Sequence, residues 1–251
     1  MTTALVTGAS AGLGAEFARQ LAAAGHDVVL VARDRERLSA LAAELQREHG
    51  VRTEVLPADL VTDDGLAAVR ERLEQAENPV TVLVNNAGYG ILTDFVDTPL
   101  ADEQRLLHLL VEVPLALSHT AIPALAARGG GHIVNVASVA GFIPRGTYGA
   151  AKAWLISFSR WANVKYRPRG VVVTAVCPGL VRTEFHRRME LDTRNIPGVA
   201  WLEAPRVVRE GLAAAFAGRA VVVPSKRYRA LVSAGRLLPD RLMAAAGRVG
   251  R

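Results

Sequence analysis

A chain of 251 residues, half of them hydrophobic and 22% charged, carries enough apolar material for a sizeable core, which excludes global disorder. Its net charge of +6 is spread over 30 basic residues, few of them lysine, and aromatic residues make up only 5%. No basic–aromatic interleaving of the RNA-binding kind occurs, so no nucleic-acid partner is expected. One cysteine, Cys177, excludes an intramolecular disulfide and a cysteine zinc cluster, and six histidines without metal-ligand spacing give no reason to expect a metal.

The first predicted element is a short buried strand, Ala4-Leu5-Val6, which runs into glycines at 8, 12 and 14. Leu13, Phe17 and Leu21 then recur at helical spacing up to Gly25, a C-terminal cap. Val28–Val31 follows as a second strand. This strand–turn–helix–strand unit suits a dinucleotide. Gly8 allows the tight turn, Gly12 lets a pyrophosphate approach the backbone, and Gly14 lets helix and sheet pack closely. The alternative is an ordinary crossover with glycines for packing alone.

Next come a helix with Leu38, Leu41 and Leu45, a strand over 52–57 that ends at Ala58-Asp59-Leu60, and a helix with Leu66, Val69 and Leu73. Val80–Val84 is a buried strand that stops at Asn85-Asn86-Ala87-Gly88. The apolar segment 99–128 reads as a helix with Pro114 and Pro123 inside it and a bend over 110–114, since proline removes a helical donor. His132–Val136 is a strand, 148–166 a helix with a Trp154, Phe158, Trp161 stripe, and Val171–Val176 a strand whose end buries an inert Cys177 thiol. Residues 178–200 read as a loop-rich excursion, followed by a helix over 203–217 and a short strand over 220–223. Strands alternating with helices predict a parallel, doubly wound sheet of about seven strands with helices on both faces. Ligands bind such sheets at the carboxyl ends of the strands, where Gly8–Gly14, Arg33, Asp59, Asn85–Gly88, Ser138 and Pro178–Thr183 all fall. The chain opens directly on a strand and no apolar run approaches membrane-spanning length, so neither a leader nor a transmembrane segment is expected and the expected location is cytoplasmic.

Ser138 ends a strand, and Tyr148 and Lys152 share one face of the next helix. A tyrosine hydroxyl is a poor base near neutrality, but a nearby ammonium and an oxidised nicotinamide would lower its pKa toward the working range. Thr-Gly-Ala-Ser-Ala-Gly-Leu-Gly and Tyr-x-x-x-Lys together resemble the short-chain dehydrogenase/reductase family through about Val223. The resemblance implies a Rossmann-like fold, Tyr148 as acid/base, Lys152 binding the nicotinamide ribose, and Ser138 positioning the reacting oxygen. It assigns Gly8, Ser10, Gly12, Leu13 and Gly14 to the cofactor loop and Asp59 and Leu60 to adenine. Asn86, Ala87 and Gly88 support the cofactor ribose, and Pro178, Gly179, Val181 and Thr183 the carboxamide.

Two features depart from the family pattern. The stretch from Ser138 to Tyr148 is a few residues shorter than usual, which requires a tighter path. Leu110 stands where an asparagine usually helps to hold a water linking the lysine to solvent; neighbouring Glu112 and His108 fit a solvated helix face better than a substitute role. Cofactor choice turns on the end of the second strand. Ala32-Arg33 lacks the carboxylate that binds NAD ribose, and Arg33 suits a 2′-phosphate, with Asp34 one step beyond, so NADP(H) is expected over NAD(H).

The expected organisation is one catalytic domain over 1–225, with a substrate lid at about 183–203 and a basic amphipathic extension over 226–251 that includes Leu231, Leu237, Leu238, Leu242 and Met243. Phe185, His186, Met189, Ile196 and Trp201 on the lid either line a mostly apolar pocket or pack beneath it. The expected activity is hydride transfer between NADP(H) and a hydrophobic carbonyl or secondary alcohol, in a homodimer or homotetramer as the family implies. The alternative is a cofactor-binding sensor or scaffold with little turnover.

Overall fold

A computed structural model of the chain describes residues 2–184, 196–235, 238, 239 and 241. Strand β1 (Thr3–Thr7) is buried at every position because a strand flanks each edge and helices cover both faces. Helix α1 (Gly12–Ala23) buries Phe17, Ala18 and Leu21 and ends before Gly25, whose φ of +86° suits a residue without a Cβ. Strand β2 (Asp27–Ala32) leads to α2 (Arg35–His49), where the Asp34 carboxylate accepts from the Arg37 backbone N–H and caps the helix. Strand β3 (Thr53–Pro57) and α3 (Asp63–Glu74), capped by Thr62, complete the first half. The second half runs β4 (Val80–Asn85), α4 (Leu100–Leu107), α5 (Val113–Ala127), β5 (Gly131–Val136), α6 (Gly146–Tyr166) and β6 (Val171–Val176). It continues through the short strands β7 (Val181–Arg182) and β8 (Leu202–Glu203) into α7 (Ala204–Phe216), β9 (Val221–Val222) and α8 (Lys226–Gly235).

Among the described residues seven strands form one parallel sheet in the order β3-β2-β1-β4-β5-β6-β9. Strand order reverses between β1 and β4, which opens a crevice at the carboxyl ends of those two strands. Alternate side chains feed two apolar layers. Ala4, Val6, Val28 and Leu30 meet α1, α2 and α7, whereas Leu5, Val29, Leu83 and Ile133 meet α3, α5 and α6. Each fully buried leucine contributes about 1.5–3 kcal/mol. The doubly wound sheet predicted from the alternation of elements is the fold of this chain.

The bend expected in the long apolar helix is a π-helical turn, His108–Glu112, between α4 and α5. Pro114 sits in the first turn of α5 and has no N–H for the Leu110 carbonyl, while the Val113 N–H reaches back five residues to His108. One expectation needs correction here. Leu100–Ala127, 28 residues with a mean hydropathy of 1.5, is long and apolar enough to cross a membrane. It packs instead as a core helix on α3, β4 and β5, with half of its most apolar stretch buried. Within the 178–200 excursion and just beyond it, β7 pairs with β8 in parallel, a contact too short to leave a period in the sequence. Of the lid and tail residues singled out above, Phe185, His186, Met189, Leu237, Leu242 and Met243 lie outside the described residues.

Candidate active site

The carboxyl ends of the central strands open into a single cleft of about 1080 Å³. That exceeds the ~300–1,000 Å³ of ordinary small-molecule pockets. The glycine turn lies in the cleft after β1, between the exits of β2 and β4. Gly8 has φ +67° and Gly12 φ +57°, and a Cβ on Gly12 would stand 3.3 Å from the Thr183 side chain across the cleft. A Cβ on Gly14 would run into the Gly8 carbonyl. Gly8, Ser10, Gly12 and Leu13 line the cleft; Gly14 does not. Gly14 is buried, and its small size lets α1 start against the turn, the packing role expected of it. The α1 N-terminus has Ala11 at its cap position, with no side-chain cap and no acidic residue in the first turn. An anionic diphosphate fits such an end, whose amides and dipole no side chain has neutralised.

The turn is held from the neighbouring strand. The Thr7 hydroxyl donates to the Val84 carbonyl (3.1 Å) and accepts from the N–H groups of Asn86 (2.9 Å) and Ala87 (3.1 Å). Asn86 Nδ2 donates to the carbonyls of Thr7 (2.9 Å) and Gly8 (3.3 Å). Asn86 thus spends its amide donors on the glycine turn while Asn86, Ala87 and Gly88 form part of the cleft wall. Sequence reasoning missed Thr7, because a threonine ending a buried strand has no signature of its own.

Ser138, Tyr148 and Lys152 meet on the cleft floor beyond β5 and α6. The shortened connection is closed by a 3₁₀ turn, Val139–Phe142, and by Gly146 at φ +57°. Ser138 accepts from the Ala140 N–H at 3.1 Å and hydrogen-bonds Tyr148. Lys152, only 5% exposed, donates from Nζ to the Val136 carbonyl at 2.8 Å, and its ammonium lies 5.6 Å from the Tyr148 ring centroid. Burial pushes the Lys152 ammonium down to about 8 and the Tyr148 hydroxyl up to about 12, although Ser138 acts in the opposite sense on the tyrosine. The expected lowering of the tyrosine is therefore absent from the protein by itself. Lys152 spends a hydrogen bond on Val136 and stands beside the ring, so enclosure dominates.

Asp59 and Leu60, beyond β3, and Arg33, beyond β2, line the cleft on the side of the sheet away from β5. Asp59 lies 3.7 Å from Arg105, and its Oδ1 accepts from the Val61 N–H. Arg37, which the sequence reading passed over, joins Arg33 in that wall and pairs with Glu184 (3.0 Å) and Asp34 (3.3 Å). Arg37 lies in the first turn of α2, four residues after Arg33, and that closeness in sequence could have flagged it. Pro178, Gly179, Val181 and Thr183 line the same cleft. Helix α8 was not expected here. Tyr228 lays its ring on Gly179, donates to the Ala200 carbonyl (2.8 Å) and accepts from the Leu180 N–H (3.2 Å). Leu231, Val232 and Leu238 extend the apolar wall. Of the lid residues, Ile196 is buried and Trp201 lies over the Arg182 guanidinium, and neither lines the cleft.

A glycine turn, a switch point and one continuous cleft at the carboxyl edge define a dinucleotide-binding α/β protein. Residues 2–194 match the family model for short chain dehydrogenase. A short-chain dehydrogenase from Sphingobium yanoikuyae in complex with NADPH superposes with a TM-score of 0.86 at 37% identity, covering 94% of each chain. The bulky-bulky ketone specific alcohol dehydrogenase from Comamonas testosteroni gives 0.81 at 33% identity, covering 94% of this chain and 92% of that one. A very-long-chain 3-oxoacyl-CoA reductase from Anas platyrhynchos is 33% identical over 73% of this chain, which spans 61% of that protein's length. The chain belongs to the short-chain dehydrogenase/reductase family of oxidoreductases.

Proposed function

We propose that the protein is an NADP(H)-dependent oxidoreductase acting on a hydrophobic ketone or the corresponding secondary alcohol. The observation that carries this reading is that Ser138, Tyr148 and Lys152 line the same cleft as the glycine turn. When bound, the nicotinamide supplies or accepts the hydride. Tyr148 holds its proton firmly, at about 12 in the free protein, and so stands ready to donate it to a carbonyl oxygen. Ser138, hydrogen-bonded to Tyr148, holds the same oxygen as charge develops on it. The Lys152 ammonium, anchored on Val136, binds the ribose hydroxyls and stabilises the phenolate left behind.

NADP(H) is favoured by Arg33 and Arg37, which wall the cleft beyond β2, and by Asp34, whose carboxylate is committed to capping α2 and pairing with Arg37. The Sphingobium relative, solved in complex with NADPH, agrees. A bulky apolar substrate is favoured by Ile91, Leu92, Phe142, Ile143, Leu231 and Leu238 around the catalytic end, and the Comamonas enzyme is named for bulky ketones. Titration of NADPH and NADH tests the cofactor. NADPH is expected to bind at least tenfold tighter, with Arg33→Ala shrinking the ratio, and equal affinities in the wild type contradict the assignment.

A further inference from the structure

The net charge of +6 sits at one place in the chain. Residues 226–251 hold seven lysines and arginines and one aspartate, whereas residues 1–225 hold 23 basic and 23 acidic residues. A general preference for arginine would leave an excess along the whole sequence. Here the body is balanced, and the surplus lies in α8 and the residues after it. Lys226, Arg227, Arg229 and Arg241 of this group are among the described residues, and all four are exposed. Glu210 on α7 is the carboxylate whose charge feels Arg229. Its oxygens are bound to Arg206 Nε (2.9 Å) and to the Ser225 N–H (3.0 Å).

Tyr228 and Val232 pack α8 against the fold and Gly235 is buried, one face at i, i+4 and i+7. Leu231, 60% exposed, stands four residues after Arg227 and shares its side of the helix. Leu238, 48% exposed, follows beyond the helix. Both leucines also line the cleft, so their apolar surface is shared between cleft and solvent. Cations interleaved with exposed leucines suit an anionic lipid surface, where the charges meet headgroups and the leucines enter the acyl boundary. A nucleic acid would match the cations alone. The one aromatic ring of α8, Tyr228, is turned inward onto Gly179, which leaves no ring on the helix for a base to stack on.

We propose that the exposed side of α8, with Leu238 and Arg241 beyond it, is a peripheral docking surface for an anionic lipid bilayer. Its cations bind the headgroups, and Leu231 and Leu238 enter the interface beside the cleft. Each basic residue near such a surface strengthens binding by about fivefold, and salt screens the attraction. Docking is independent of the activity proposed above and is measured without cofactor or ketone.

The full chain is sedimented with vesicles of phosphatidylcholine alone and of an equal mixture of phosphatidylcholine and phosphatidylglycerol. Binding is expected to the mixed vesicles only, and to fall as salt is raised. The triple variant Lys226→Gln, Arg227→Gln, Arg229→Gln changes three exposed sites and is expected to weaken binding by at least about tenfold. Arg167→Gln, Arg169→Gln, Arg219→Gln removes the same charge from exposed sites just before β6 and β9, at the amino edge of the sheet. That second triple variant is expected to bind within about twofold of wild type, since its sites lie away from the docked surface. Leu231→Gln, which keeps the charge, is expected to weaken binding severalfold through lost apolar insertion. Absence of binding to the mixed vesicles, an equal loss in both triple variants, or unchanged binding by Leu231→Gln overturns the proposal. Retention on duplex DNA that matches retention on the mixed vesicles at the same salt overturns it as well.

Discussion

Tyr148 lies within a hydrogen bond of Ser138 and beside an ammonium that is itself partly discharged by burial. Removing its hydroxyl while keeping the ring separates chemistry from packing. Tyr148→Phe is expected to leave NADPH binding intact and lower turnover by about 10²–10⁴, the range of a lost general acid/base. Stopped turnover with unchanged cofactor fluorescence would be the signature; a matching loss of binding would point to misfolding instead. At the other end of the cleft, Arg33 and Asp34 set the cofactor test. The sequence left Asp34 open as a ribose ligand, and only the structure commits its carboxylate to the α2 cap. The helical spacing of Tyr148 and Lys152 was legible because it depends on neighbours along one helix. The two shifted pKa values were not, because they depend on burial by elements distant in the chain.

Between α4 and α5 the π turn shows how one proline shapes a site. Pro114 announced a bend in the sequence, yet its kind depends on Val113 reaching back to His108, which no spacing rule supplies. Leu110 rides on that turn, buried against Leu106, Ala151 and Tyr148, with a methyl 2.8 Å from where a Gly88 Cβ would stand. Leu110 and Lys152 line one small cavity, and Pro114 has no N–H to give the Leu110 carbonyl, so the backbone is expected to serve where a polar side chain at 110 would. Leu110→Asn is accordingly expected to change turnover by less than tenfold, below about 1.4 kcal/mol in barrier. Burying an amide in that apolar cluster is expected to lower thermal stability by about 1–3 kcal/mol. Paired steady-state kinetics and melting curves decide it, and a gain of several hundredfold would mark the natural chain as an impaired catalyst.

Taken as a whole, the molecule places its chemistry where the strand order turns, and that much followed from alternating strands and helices. Sheet order itself did not, because neighbours such as β1 and β4 are separated by more than one crossover. The role of α8 was equally hidden, for its contact depends on one tyrosine meeting one glycine across the fold. Tyr228 ties α8 to the β6 exit and to the Ala200 carbonyl, and so completes the apolar wall. Tyr228→Phe keeps the ring on Gly179 but loses both hydrogen bonds, about 0.5–1.5 kcal/mol each. The expected result is a severalfold higher KM for substrate, little change in NADPH affinity, and faster proteolysis of the C-terminal segment. Unchanged KM and proteolysis would show that α8 docks without this tie.

The most direct test of the account is NADPH consumption, followed by nicotinamide absorbance across a panel of bulky aryl and aliphatic ketones, with wild type and Tyr148→Phe side by side. The account predicts that the wild type oxidises NADPH with at least one of these ketones, and that Tyr148→Phe binds NADPH equally well yet falls by about 10²–10⁴ on that ketone. Turnover by Tyr148→Phe near the wild-type rate, or a wild type that binds NADPH and reduces none of the panel, would contradict it.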